Sequence, residues 1–238
     1  MKPSCSIIIA TKDRPLCLKQ MISSLIAQPQ DIEVIIVDDN SIQSLENKAI
    51  VERYKNIIQI SYTLFRDNKL SKSCLYPFRR GLELANSDLI KFCGDDDFLY
   101  PNSIYWELDY MRGHKEVDCF MSSYQIVSNS LMPSKDIYRV KDKVSLGDMK
   151  YGCWIPDYSM TKIKFWDGVT FYEDIGTRWL WACWREMMYK GMVVNGEPDY
   201  VTYLYRRHPN QISNTEEAQK NNKKLSPIFK LQDERYLK

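Results

Sequence analysis

Leu89-Ile90-Lys91-Phe92-Cys93 runs directly into Gly94-Asp95-Asp96-Asp97. A short, mostly apolar run of this kind reads as a strand covered on both faces, and the carboxylates that follow it mark the turn at its end. Adjacent aspartates repel one another, so crowding them costs free energy unless a cation neutralises them. Hard carboxylate oxygens suit Mg2+ or Mn2+, and either ion also bridges a diphosphate. The competing reading is a solvated acidic turn, or a helix N-cap ahead of Tyr100-Pro101. A position directly behind a buried strand favours the metal.

The same grammar recurs upstream. Ser6-Ile7-Ile8-Ile9-Ala10 is a continuous buried-strand run that ends in Thr11-Lys12-Asp13-Arg14, and Glu33-Val34-Ile35-Ile36-Val37 ends in Asp38-Asp39-Asn40-Ser41. Between them Leu16, Leu18, Met21, Ile22, Leu25 and Ile26 repeat at helical spacing, with Asp13 before Pro15 as the helix start. Further helices are expected around 45–54 and 73–85, with a third strand near 58–65. This β-α-β-α-β alternation predicts an α/β protein with a mainly parallel sheet and helices on both faces. Ligands of such sheets bind at the carboxyl ends of the strands, so the three acidic loops are expected to converge on one edge. A carboxylate at Asp38 or Asp39 can accept hydrogen bonds from a uracil imide or ribose hydroxyls; the alternative is a side-chain turn that closes the strand with Asn40 and Ser41.

Beyond Pro101 the pattern loosens. A helix is expected at 104–111, a strand at 119–127, an irregular stretch up to Gly168, an aromatic-rich helix at 177–189, and strands near 192–194 and 200–205. The chain has 238 residues, 44% hydrophobic and 27% charged, the proportions of an ordinary globular protein. A formal net charge of +2 gives no basis for nucleic-acid binding. From Arg206 onward eight Lys or Arg face four Asp or Glu, so residues 211–238 are expected as a basic tail, either solvated or touching an anionic membrane surface. The seven cysteines show no C-x-x-C pair and read as reduced thiols, and no segment resembles a signal peptide or a membrane span, which together predict a cytoplasmic location.

Taken in order and spacing, Ile7 to Arg14, Glu33 to Ser41 and the aspartate loop resemble the nucleotide-binding half of family 2 glycosyltransferases. Phe171-Tyr172-Glu173-Asp174 resembles that family's Glu-Asp acceptor motif, and Tyr205-Arg206-Arg207-His208-Pro209 its late basic segment. The likeness spans about residues 5 to 210, and four motifs in sequence are far more specific than one. It implies a GT-A fold, Rossmann-like, as one catalytic domain over 1–210, with a nucleotide-sugar half at 1–100 and an acceptor half at 101–210. It also implies a nucleotide-sugar donor, expected to be a UDP-sugar, a glycan or lipid-linked acceptor, and inversion at the anomeric carbon.

Carried over residue by residue, Asp39 with Asp38, Thr11 and Asp13 would hold base and ribose, and Asp95 would lie near the ribose. Asp96, with Asp97 and His208, would bind the Mn2+ or Mg2+. Arg206, Arg207 and Lys72 would contact the diphosphate or base. Asp174, beside Glu173, would be the general base; the alternative is an acidic pair at a helix N-terminus. One departure is that Gly94 stands where the family's commoner Asp-x-Asp-Asp loop has its first aspartate. No Gln-x-x-Arg-Trp segment is present, so a single transfer is expected rather than processive synthesis. Of Trp154, Trp166, Trp179, Trp181 and Trp184, one or two are expected to touch the acceptor and the rest to pack the core. His114 is assigned no role. The rival readings are a sugar-nucleotide nucleotidyltransferase, disfavoured by the absence of glycine between Thr11 and Arg14, and a silent nucleotide-sugar or glycan-binding module.

Overall fold

The computed structural model describes residues 2–29, 31–66, 73–209, 211 and 222–237, without the side chains of Asp174 and Asn222. Four parallel strands build the first half: β1 (Ser6–Thr11), β2 (Glu33–Asp38), β3 (Gln59–Leu64) and β4 (Leu89–Gly94), in the spatial order β3-β2-β1-β4. They alternate with α1 (Pro15–Leu25), α2 (Ser44–Tyr54) and α3 (Leu75–Leu84). Every residue of β1 and β2 is buried, which is why these strands read as unbroken apolar runs instead of alternating ones. Alternate residues still serve opposite faces. Ile7 and Ile9 pack with Leu18, Met21, Ile22 and Leu25 of α1, while Ile8 and Ala10 face Leu75 and Phe78 of α3. A side chain at Gly81 would place its Cβ 2.1 Å from Ile8 Cγ2, so α3 can lie on β1 only because that residue is glycine.

The second half extends the same sheet. β5 (Phe98–Leu99), β6 (Cys119–Val127), β7 (Pro133–Tyr138), β8 (Met160–Lys162) and β9 (Val194–Arg206) continue it in the order β4-β8-β6-β9-β5, with β7 on β6. α4 (Ser103–Gly113) and α5 (Trp179–Tyr189) cover opposite faces: Ile104, Leu108 and Met111 join the α1 side, and Trp179, Leu180 and Trp184 the α3 side. The second core is strongly aromatic, with Phe92 meeting Trp166 edge to face at 5.0 Å and Trp166 meeting Trp184 at 5.2 Å.

Three expectations change here. The stretch read as irregular contains β7 and β8, and the three-residue β8 is what joins β4 to β6 through antiparallel pairs on both sides. The two strands expected near 192–194 and 200–205 are one strand, β9, parallel to β6; Ser122 pairs with Glu197 and Ser123 with Val201, so the register shift accommodates the intervening residues around Pro198. The expected basic tail instead carries a helix, α6 (Asn222–Tyr236), that packs against the domain. Leu225 and Gln232 of this helix are buried, and the buried Arg185 guanidinium donates to Phe229 O at 3.1 Å and pairs with Asp233 at 2.5 Å.

Lys91 interrupts the apolar run of β4 and is fully buried, paired at 2.9 Å with the equally enclosed Glu107 of α4. Its ammonium also donates to Tyr158 O at 2.6 Å, and Glu107 accepts from Thr202 Oγ1 at 2.7 Å. Removing one partner would strand the other charge in the core. Lys91→Met is therefore expected to lower the unfolding free energy by about 3–5 kcal/mol, measured by urea denaturation; a loss below about 1 kcal/mol would show that the remaining carboxylate is hydrated.

Candidate active site

The parallel register sets Thr11 level with Asp38 and Ala10 level with Gly94, so the loops after β1, β2 and β4 leave the sheet side by side. Asp13 and Asn40 take left-handed backbone conformations at φ 53° and 55°, a region that Asp and Asn tolerate better than most residues. Asp13 N donates to Ser41 Oγ at 2.8 Å, and Ile42 N to Asp13 Oδ1 at 2.6 Å, tying the first loop to the second. Asp13 thus builds the cleft wall.

The two aspartates after β2 divide their work. Asp38 is fully buried and its oxygens are taken: Oδ1 accepts from Ser41 N at 2.7 Å, and Oδ2 from Asn47 Nδ2 and Tyr62 OH, each at 2.8 Å. It closes the strand and has no oxygen left for the expected base or ribose contact, whereas Asp39 is only half-buried and lies 3.3 Å from Lys12 Nζ. Burial raises the pKa of Asp39, and Lys12 opposes the rise.

The three aspartates after β4 point three ways, as their mutual repulsion demands. Asp95 is buried and turns to the first loop, accepting from Thr11 Oγ1 at 2.7 Å, with Arg14 Nη2 2.6 Å from its other oxygen. Burial pushes its carboxyl up to about 7, against the pull of Arg14 and with a further push from Asp96. Thr11 therefore orients Asp95 and is itself 2% exposed, which corrects its expected place against the ribose. Asp97, also buried, turns to β9, where it accepts from Tyr203 OH and from Arg206 N, both at 2.9 Å. Burial, reinforced by Asp96, raises its pKa well above the usual carboxylate range.

Asp96 alone faces the cleft, its Oδ2 taking Arg14 Nη1 at 2.6 Å and lying 2.9 Å from His208 Nε2. A Cβ on residue 94 would come within 2.7 Å of Asp96 Oδ1 and 2.9 Å of Asp97 Oδ2. The glycine that departs from the family's loop is thus what lets these two carboxylates fold back over the strand end.

Of the late basic segment, His208 reaches the cleft and Arg206 does not. The Arg206 guanidinium is buried over the Phe98 ring at 4.7 Å and donates to Gln20 Oε1 at 2.8 Å, so its expected diphosphate contact is replaced by a role bracing β9 against α1. Arg207 is exposed, with its backbone N–H on Val127 O at 2.8 Å. Lys72 lies outside the described residues. Glu173 is exposed and opens a 3-10 helix (Glu173–Arg178) that leads into α5; Asp174 follows it in that helix, its side chain outside the described set. The same segment supplies Thr177 to the cleft, followed by Trp179 and Leu180 of α5.

The residue types fit a divalent ion that arrives with its nucleotide. Among the described residues no three His, Cys, Asp or Glu side chains are grouped to hold a metal. Mg2+ bound with nucleotides uses one or two carboxylates plus phosphate oxygens, and Asp96 supplies one carboxylate with His208 Nε2 2.9 Å away. Sequence reading missed Arg14 as the counter-charge of Asp95 and Asp96, although it stands in the first motif. It also missed Tyr203, which accepts from Gly94 N at 3.1 Å while donating to Asp97.

A mixed sheet that is parallel through its first half, with acidic loops gathered at the carboxyl ends of β1, β2 and β4, defines the nucleotide-diphospho-sugar transferase architecture, GT-A. Residues 6–180 match Glycosyl transferase family 2, and the chain belongs to that family. It is similar to TarP, the poly(ribitol-phosphate) beta-N-acetylglucosaminyltransferase of Staphylococcus aureus strain N315, at 24% identity over 147 residues, 60% of this chain and 43% of TarP. The S. aureus TarS 1–349 structure in complex with UDP superposes with a TM-score of 0.75 at 17% identity, covering 96% of this chain and 65% of that one. The TarS complex with UDP-GlcNAc gives 0.73 at 17% identity, over 94% and 66%. The chain thus spans under half of TarP and about two-thirds of the TarS fragment. Among the described residues no helix is long and apolar enough to cross a membrane.

Proposed function

We propose that this chain transfers a single sugar from a UDP-sugar to a saccharide or lipid-linked acceptor, with inversion at the anomeric carbon. The observation that carries this reading is the division of labour among the acidic loops: Asp38, Asp95 and Asp97 are consumed by the scaffold, while Asp96 lines the cleft and Asp39 stays half-buried beside Lys12 at the end of β2. Asp39 accepts hydrogen bonds from the nucleoside, and Arg14, at the rim of the donor cavity, offers charge to the diphosphate. Asp96 and His208 would hold a Mg2+ or Mn2+, whose chemistry when bound is to neutralise negative charge developing on the departing diphosphate.

In the transfer, the acceptor oxygen attacks the anomeric carbon from the face opposite the nucleotide. The carbon–oxygen bond to the diphosphate breaks with its electron pair leaving on UDP, and the acceptor's proton passes to the carboxylate of Asp174. Support for that base comes from the Glu-Asp motif and from its segment, whose Thr177 lines the cleft. UDP-N-acetylglucosamine is the first donor to try, because TarP is named for N-acetylglucosaminyl transfer and TarS was crystallised with that nucleotide-sugar.

Thermal unfolding tests the donor site. UDP with Mn2+, at a hundredfold excess over Kd, is expected to raise the melting temperature by about 5–10 °C, more than either alone. A flat titration with UDP and Mn2+ together would sink the assignment.

A further inference from the structure

Beside the donor cavity lies a second cavity of about 390 Å3, in the size range of small-ligand sites. Cys74, Phe78, Gly94, Asp157 and Tyr205 line both, so the two share a wall at the level of the β4 loop. Tyr158 and Tyr203 stack at 4.0 Å in this second lining, with the Lys91 ammonium 5.0 Å from the Tyr158 ring, and their hydroxyls are bound to Ser122 O and Asp97. Tyr124 stacks on Tyr138 at 4.9 Å, and Trp154 is pinned through its indole N–H to Asp148 O at 3.1 Å. The lining is therefore a set of aromatic faces held in place before any ligand enters.

Its charge is equally particular. No Lys, Arg or His lines this cavity among the described residues; its ionisable carboxyls are Asp97 and Asp157. Asp97 is spent on β9, whereas Asp157 accepts no hydrogen bond from a described residue. Water reaches Asp157 through the cavity, yet the surrounding protein pushes its carboxyl up to about 6, with Arg178 pulling it down. At neutral pH its carboxylate is an acceptor with no hydrogen-bond donor among the described residues.

We propose that this cavity is the acceptor site, that it takes a neutral saccharide ring rather than a phosphate-bearing chain, and that Asp157 binds an acceptor hydroxyl. The proposal rests on the reading of the adjoining cavity as the donor site. Aromatic faces stack on the C–H faces of a sugar ring, and a carboxylate pairs with its hydroxyls. A phosphodiester in the same place would meet the Asp157 carboxylate and no lining cation among the described residues, a like-charge contact that disfavours it. The occupant thereby differs from the polyol phosphate polymer in TarP's name. Because Asp157 lies on the shared wall, it also presents the bound hydroxyl toward the donor.

Saturation-transfer NMR on the full chain loaded with UDP and the diamagnetic Mg2+ tests this, using a neutral N-acetylhexosamine disaccharide and a ribitol phosphate dimer as probes. The disaccharide is expected to receive saturation and the ribitol phosphate to receive none. Asp157→Asn and Trp154→Ala should each cut the disaccharide signal at least fivefold with UDP affinity within about twofold. Should Trp154→Ala fail to fold, Tyr138→Ala, at the exposed edge of the lining, replaces it. Preferential binding of ribitol phosphate, or an undiminished disaccharide signal in Asp157→Asn, overturns the proposal. UDP binding without saccharide binding in the wild-type chain overturns the acceptor site alone, while absence of UDP binding overturns the donor reading and this one with it.

Discussion

An Asp96→Ala chain is expected to bind UDP equally with and without Mn2+, and to lose at least about a hundredfold in transfer rate. The size of the effect follows from the lack of a substitute. Asp95 and Asp97 flank it in sequence, but one is buried against Thr11 and Arg14 and the other against Tyr203 and the β9 backbone. Neither can turn to the cleft without abandoning those partners. His208 would stay in place but lose its contact with Asp96 Oδ2, leaving one of the two proposed ligands. Stability should change little, because the Asp96 side chain is 14% exposed and its removal also relieves repulsion within the loop. Metal titrations monitored through UDP affinity decide the matter: persistent Mn2+ dependence in Asp96→Ala, together with its loss in Asp97→Asn, would move the ligand to Asp97.

Asp174→Asn is expected to lower kcat by about 10²–10⁴-fold while UDP affinity stays within about threefold. Asparagine keeps the size and polarity of the side chain but cannot take the acceptor's proton at neutral pH. The proposed donor contacts come from the loops of β1, β2 and β4, none of which carries residue 174, so nucleotide binding should change little. Slow hydrolysis of the UDP-sugar without acceptor provides the control. Full transferase activity in Asp174→Asn would assign the proton to another group.

The first half of the fold was legible because β1, β2 and β4 are buried on both faces, which writes them as apolar runs, and because parallel strands must put their carboxyl-end loops together. The pair Asp38-Asp39 and the run Asp95 to Asp97 could be placed at that edge from the rule alone. Which of several adjacent aspartates faces the ligand could not, since that depends on partners far along the chain: Asn47 and Tyr62 for Asp38, Tyr203 and Arg206 for Asp97. β9 reads as two strands because Gly196 and Pro198 mimic a turn, whereas the pairing with β6 absorbs them in a bulge. Arg206 reads as a diphosphate contact, yet Phe98 and Gln20 enclose it. Asp157 stands in a stretch without periodicity, where a single carboxylate carries no local signature; the nearest clue is the pair Tyr203 and Tyr205, whose period of two sends both to the cavity that Asp157 borders.

The hydrogen bond between Asp96 and His208 joins residues 112 positions apart. During synthesis the aspartate emerges on the order of ten seconds before its imidazole partner, at ordinary ribosomal speeds. A nascent chain that has completed β4 therefore exposes its acidic loop with Arg14 as counter-ion, and β9 must thread in beside β6 before His208 can reach Asp96. Competence to hold an ion between these two side chains should thus arise only once β9 has been made and has paired with β6.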